Sequence, residues 1–343
     1  MKITELELAQ DLCFVCDEEA FSGVKKIGRK VMKDVERVFG FMPTESHSLA
    51  DVRRDAVVFG TVDRSQFLDG LEKAGKIDLS AVRRKWEVFG FFVVEKPFAD
   101  CPDVQTAIVI AGSDKRGTIY GLFHISELLG VSPLVDFADV VPTHKKEFDF
   151  TAEHNMVSRE PSVKYRGFFI NDEWSAFGNW SLKHFGGPNA LCYEHVFEML
   201  LRMKGNYLWP AMWSAVFSWD GPGLRNAELA DEYGVVMGTS HHEPCCRAGE
   251  EHRHYRNTTK EYGDEWNFQH CREGITRFWR DGLRRNRNFE NIYTIGMRGE
   301  CDSAILGREA TLKDNIDLLK DVLVTQYALM KDEVNHNLYK IPR

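Results

Sequence analysis

Four apolar, β-prone runs recur in the second half of the chain, "VKYRGFFI", "NYLWPAMW", "VVMGTS" and "NIYTIGM", and each is followed by a helix-like segment. Strands separated by helices cannot close as hairpins; they predict a parallel sheet with right-handed crossovers. The polar residues gather at one end of these runs. The first ends in Asn171, Asp172, Glu173 and Trp174, the third in Ser240, His241, His242, Glu243 and Pro244, and the fourth in Arg298, Gly299, Glu300, Cys301 and Asp302. The second ends in aromatic residues, Trp209 and Trp213, around Pro210, whose missing N–H suits a strand that has left the sheet. In a (β/α)8 barrel such ends converge on the face that carries the active site. The expected fold class is therefore α/β: an N-terminal α/β domain, then the first half of a (β/α)8 barrel, truncated after the fourth β/α unit.

The first part supports that division. "LCFVCD" and "AVVFGTV" read as buried strands, and between them Val24, Ile27, Val31, Val35 and Val38 recur at helical spacing with Lys and Arg opposite. "TAIVIAGSDKRGTIYGLFHISELLG" reads as strand, turn and helix, capped by Asp114 and ended by Gly130. The expected domains are residues 1–150 and residues 151–343, with the Pro-containing "DVVPTHKKEF" between them.

Composition narrows the partners. A net charge of −8 and no long basic run argue against nucleic acid. The most basic stretch, "RDGLRRNRN", fits a helix end, where cations suit the dipole. No apolar run approaches the ~20 residues of a membrane helix. The acidic N-terminus lacks a signal-peptide core, and eight cysteines then predict reduced thiols and a cytoplasmic setting. Homo-oligomerisation is left open.

Three chemistries compete for the strand ends. Metal binding draws on His241, His242 and Asp302, but adjacent residues on a strand point to opposite sides, so the two histidines would share an ion only if the chain turned between them. "HRH", residues 252–254, reads as a solvated helix face, and adjacent Cys245 and Cys246 match neither a zinc nor a thioredoxin pattern. No metal and no cofactor is expected. Carboxylate chemistry fits better: Asp172, Glu173, Glu243, Glu300 and Asp302 crowd one predicted face beside tryptophans, which is equipment for glycoside hydrolysis. Arg298 adds a planar cation suited to a sugar carboxylate, or else an ion pair that braces the strand end.

The segments "RGFFINDEW", "LRMKGNYLWPAMW", "ADEYGVVMGTSHHEP" and "YTIGMRGECD" resemble the α-glucuronidases of glycoside hydrolase family 115, and "IAGSDKRGTIYGLFHISELLGVSPLVDFADV" resembles that family's N-terminal domain. The resemblance implies release of α-1,2-linked D-glucuronic acid, or its 4-O-methyl form, from glucuronoxylan or aldouronic oligosaccharides with inversion. It implies catalytic roles for Asp172 and Asp302 on the base side, with His241 and Arg298 binding the sugar and Arg298 favoured for the uronate. Asn171, Glu173, Trp209, His242, Glu243 and Glu300 complete the expected substrate-binding set. The family's general acid is expected on a fifth strand, beyond "NLYKIPR", so the polypeptide is expected to be poorly active alone. A uronosyl-binding half-barrel without catalysis, and a metal-dependent barrel hydrolase, are the two alternatives.

Overall fold

The computed structural model describes residues 1–171 and 174–343 and divides the chain into two compact units. The first comprises Met1–Arg166 with Glu198–Gly205 and Glu232–Gly234. Its strands are β1 (Lys2–Thr4), β2 (Leu12–Val15), β3 (Thr44–Ser46), β4 (Asp55–Thr61), β5 (Phe89–Glu95), β6 (Thr106–Gly112), β7 (Glu147–Asp149) and β8 (Met156–Val157). Six of them form one sheet in the order β3-β2-β4-β6-β5-β8, while β1 pairs with β7. Pairing is parallel from β3 to β6, and β5 runs antiparallel to both its neighbours.

Helices α1 (Ser22–Phe39), α2 (Gln66–Lys73) and α3 (Lys115–Leu128) connect these strands. The helical stripe read from sequence is the buried face of α1: Val24, Ile27, Val31, Val35 and Val38 are all in the core. Asp114 caps α3 by accepting the Gly117 N–H at 2.8 Å. After the expected linker near residue 150, β8 joins the sheet edge through β5, and the Ser158 N–H donates to the Phe89 carbonyl at 2.8 Å. The chain up to Arg166 thus packs with the first unit.

A polar cluster lies inside this unit. The Asp34 carboxylate on α1 receives Arg202 at 2.7 Å, Ser126 Oγ at 2.7 Å and Arg37 at 2.9 Å. Arg202 also pairs with Glu198 at 2.8 Å, and Lys30 reaches Glu198 at 3.0 Å. Asp34, Arg202 and Glu198 are all buried.

The second unit holds the remaining residues. Strands β9 (Gly167–Phe169), β10 (Tyr207–Trp209) and β11 (Val236–Met237) form a parallel sheet in the order β11-β10-β9. Helices α4 (Phe177–Phe185), α5 (Ala190–Arg202), α6 (Phe217–Asp220) and α7 (Arg225–Tyr233) fall between them in sequence; α8 (Gly249–Asn257), α9 (Arg272–Asn286) and α10 (Leu312–Glu333) follow. Gly167 makes the first pairing possible, since a Cβ there would lie 1.5 Å from the Tyr207 carbonyl oxygen.

The fourth expected strand is reduced to a single bridge, Asn291 with Met237. It still runs alongside β11: the Ile292 N–H donates to Met237 O at 2.9 Å and the Cys245 N–H to Thr294 O at 3.0 Å. Further on, its backbone is satisfied by a side chain instead of a ladder. Gln326, buried on α10, donates to Gly296 O at 2.8 Å and accepts from Gly296 N at 2.7 Å. A glutamine that takes both backbone groups leaves nothing for a neighbouring strand, which is why an apolar run legible as β is irregular here.

One other sequence expectation shifts and one holds. His252 does not sit on a solvated face: it is buried between the rings of Trp266 and Phe278, at 5.1 and 5.4 Å. The basic stretch does lie in the last turn of α9, where Arg284 pairs with Glu333 at 2.8 Å and Arg285 with Glu251 at 2.7 Å.

Asp220 gives this unit a pH signature. Burial pushes its carboxyl up to about 6, against the opposing hydrogen bond from the Val216 N–H at 2.7 Å. A carboxyl raised above its ordinary value holds a proton in the folded chain that it has lost in the unfolded one. Its contribution to stability is therefore full below the ordinary aspartate pKa and is lost as pH rises through about 6. Melting temperatures measured across that window should fall less steeply for Asp220→Asn than for the parent; identical slopes would contradict the assignment.

Candidate functional site

The parallel sheet of the second unit decides where its polar residues go. Each strand stops within a few residues, and the chain then turns sharply. Left-handed non-glycine residues follow every strand position: Ser175 after β9, Ser214 after β10, Cys245 and Cys246 after β11, and Cys301 and Asp302 after the fourth run. Such residues cost free energy and persist where surrounding structure holds them, which is typical of functional turns.

Beyond β11 the chain does not stay extended. The Glu243 N–H closes a turn onto Ser240 O at 3.0 Å, and the His242 N–H donates to Ser240 Oγ at 3.2 Å. This turn brings the two imidazoles to the same side, with ring centres 4.3 Å apart. The alternation argued from an extended strand therefore does not apply, because the strand ends at Met237. Gly238 is required just before the turn: a Cβ there would meet Tyr207 Oη at 2.0 Å and Trp209 at 2.6 Å.

The fourth run delivers Arg298 and Asp302 to the same place. Asp302 Oδ1 lies 2.8 Å from Arg298 Nε, 3.3 Å from His241 Nε2 and 3.8 Å from His242 Nε2. Three nitrogen groups thus surround one carboxylate oxygen. Asp302, Arg298 and His241 are about half exposed at their side chains, whereas His242 is mostly covered and meets the Trp213 ring edge-on at 4.7 Å. Burial, and then the neighbouring His241, holds the His242 pKa below its ordinary value of 6.5, so this ring is neutral at neutral pH. The Thr239 and Thr294 hydroxyls, 3.0 Å apart, tie the two incoming chains together just beneath.

The remaining expected residues divide. Asp172 and Glu173 lie outside the described residues. Asn171 stands half-buried at the end of β9. Trp209 on β10 packs edge-on against Phe169 at 5.8 Å and donates its indole N–H to Tyr207 Oη. Glu243 is buried, and its carboxylate accepts the Ser240 N–H at 3.1 Å, so it holds the histidine turn closed. Glu300 is held by Arg256 of α8 in a two-pronged pair, at 2.7 and 3.1 Å, with Arg253 at 3.6 Å. The hydrogen bond from Arg256 draws the Glu300 pKa below the usual carboxylate value. Glu243, Glu300 and His242 share the wall of a cavity of about 30 Å³, room for little more than water.

Arg256 and Arg253 escaped the reading of the sequence, although their spacing of three places both on one helix face. Through Glu300 they anchor the turn that carries Asp302. Arg256→Gln is expected to lower turnover roughly ten- to a hundredfold by misplacing that carboxylate, with Arg256→Lys retaining most of it. Equal losses in the two variants would contradict an anchoring role.

A metal ion is a fair question, because the ligand atoms of His241, His242 and Asp302 lie within 4.8 Å of one another. Two imidazoles and a carboxylate suit a divalent ion. The donor set nonetheless has a fixed guanidinium 2.8 Å from the oxygen both histidines face, so a cation there must displace Arg298. A ligand that carries its own negative charge meets no such conflict.

A parallel β/α array with carboxylate, imidazole and guanidinium groups at its strand ends is an arrangement used by glycoside hydrolases. The chain belongs to glycosyl hydrolase family 115, whose model matches residues 158–343. Among solved structures, a family GH115 4-O-methyl-α-glucuronidase, BtGH115A, described as specific for decorated arabinogalactans, is similar over 100% of this chain at 28% identity with a TM-score of 0.79. This chain covers 42% of that longer protein. CpGH84D aligns over 97% of this chain and 47% of its own at 11% identity and a TM-score of 0.45. No curated protein matches the sequence. No helix among the described residues is long and apolar enough to cross a membrane.

Proposed function

We propose that the second unit is the opening half of a (β/α)8 catalytic barrel, and that its strand ends bind and help cleave α-1,2-linked glucuronic acid, or its 4-O-methyl form, on a decorated xylan or arabinogalactan or an oligosaccharide of either. The observation that carries this reading is the Arg298–Asp302–His241 contact set. Arg298 spends Nε on Asp302, and a guanidinium has further N–H donors in the same plane. Among the described residues its terminal nitrogens make no hydrogen bond, so they are the natural partners of a sugar carboxylate. One arginine then both reads the uronate and fixes the base relative to it.

In this proposal Asp302 holds and deprotonates the attacking water, and Asp172 is the second candidate for that work. His241 and the neutral His242 donate to or accept from sugar hydroxyls, with Trp213 behind them. An inverting mechanism needs a partner carboxyl group roughly 6.5–9.5 Å from the base, so that water fits between it and the sugar. Neither Glu243 nor Glu300 suits that part, since both are already hydrogen-bonded in structural roles.

Proton NMR of digests of aldouronic and acidic arabinogalactan oligosaccharides tests the reading. Free uronic acid should appear first as the β anomer, and Asp302→Ala and Asp172→Ala should slow its release. First appearance as the α anomer would overturn the inverting mechanism, and no uronic acid from either substrate class or from an aryl α-glucuronide, whose leaving group needs no acid, would overturn the function. The convergence of His241, His242 and Asp302 favours a second reading, a metal-dependent hydrolase. Stoichiometric zinc in the purified protein, lost in His241→Ala, would replace the first reading with this one.

A further inference from the structure

We infer that the first unit carries a carbohydrate-binding cleft of its own, for an uncharged sugar, at the C-terminal edge of its parallel strands. The family match begins at residue 158 and so assigns nothing to it.

Topology puts a cleft there. From β2 the chain passes through α1 to β3 on one side of β2, whereas β4 and β6 lie on its other side, all four parallel. Where the winding direction of a parallel sheet reverses, the loops leaving neighbouring strands part, and ligands bind in the crevice outside the strand ends. In this unit the crevice is a cavity of about 560 Å³, lined by the loops that leave β2, β3 and β4. That is within the range of small-molecule sites.

The lining indicates what it takes. The loop after β2 presents three consecutive carboxylates, Asp17, Glu18 and Glu19, where a phosphate site would need a glycine-rich turn. Asp17 accepts the Gln66 N–H at 3.1 Å with one oxygen; its other oxygen is buried and has no hydrogen-bond donor. Arg64, the one arginine in the lining, gives an N–H to Glu19 O at 3.2 Å and lies 4.1 Å over the Phe21 ring. Three carboxylates against one guanidinium leave the lining net negative, so an anion is disfavoured. Phe67 adds a half-buried apolar wall. Carboxylates beside an aromatic face suit a ligand that is rich in hydroxyl donors and carries no charge, such as a pyranose. Choosing a xylose oligomer as that pyranose rests on the proposed function.

The cleft has no evident chemistry of its own. His47 Nδ1 sits 2.9 Å from Cys16 O and 3.8 Å from the Cys16 thiol, but burial pushes that thiol up to about 12, so it stays protonated and unreactive. The cleft binds; it does not cut.

The test is a titration of the 343-residue protein with xylotriose, glucuronic acid and calcium chloride in separate arms, following the backbone amide resonances of Ser48, Ala50 and Gln66. Xylotriose should shift these amides saturably with a Kd of about 1 mM or below. Phe67→Ala and the exposed Glu18→Gln should each weaken that response by about tenfold or less, the worth of one stacking or charged hydrogen-bond contact. Arg298→Ala should leave it unchanged, and glucuronic acid should not elicit it, whether or not the protein cleaves glucuronides. The proposal falls if xylotriose leaves the three amides in place, if calcium alone moves them, or if both cleft variants respond like the parent.

Discussion

Replacing Asp302 by alanine should slow hydrolysis of an aryl α-glucuronide by about 10²–10⁴-fold, the usual worth of a general base. An aryl leaving group departs without a proton, so the assay reads the base side of the reaction separately from the acid side. The size of the effect follows from position. Asp302 is the carboxylate on which Arg298 and His241 converge, at 2.8 and 3.3 Å, and it stands on a left-handed turn with φ 66° that its neighbours hold in place. Alanine removes the base and also releases the guanidinium that would grip the uronate, so KM should rise as kcat falls. Asp302→Asn should keep more of the binding and little more of the rate. A loss of less than about tenfold in the alanine variant, below the range for a general base, would move the base to Asp172.

The largest expected effect on stability lies in the first unit. Arg202→Met should cost about 3–5 kcal/mol, because removing one partner from a buried ion pair leaves the other charge uncompensated. Here two carboxylates lose their shared cation, Asp34 at 2.7 Å and Glu198 at 2.8 Å, and neither side chain reaches water. Lys30 and Arg37 each reach only one of the two carboxylates, so neither replaces the shared cation. Urea unfolding of the parent and the variant measures the difference, and adding Asp34→Asn to Arg202→Met should recover part of it. A cost below about 1 kcal/mol, the value of a surface pair, would mean that water reaches the cluster.

The sequence was most informative where period and burial agree. The Val24-to-Val38 stripe, the Asp114 cap and the three parallel strands β9 to β11 all follow from local pattern. What escaped depended on partners far along the chain. Nothing in "NIYTIGM" announces that Gln326, thirty residues on, will take both backbone groups of Gly296 and end the ladder. His252 looks solvated among charged neighbours, yet aromatic residues from Trp266 and Phe278 cover it.

The strand ends were legible in the same uneven way. That Arg298, Asp302 and His241 share a mouth follows from parallel strands ending in polar residues. That both histidines face Asp302 depends on a turn closed by Ser240 and Glu243, which alternation along a strand cannot foresee. Glu300 drew attention as one acid among several, and its capture by Arg256 becomes visible only when α8 is placed beside it.

The central claim is that Arg298, held by Asp302, reads a sugar carboxylate at the ends of parallel strands. Calorimetric titration with D-glucuronate and with D-glucose, on the parent and on Arg298→Ala, tests it most directly. Saturable binding of glucuronate, absent for glucose and abolished in the variant, is the predicted result. Glucose binding as tightly as glucuronate, or glucuronate binding that survives loss of the guanidinium, would contradict it.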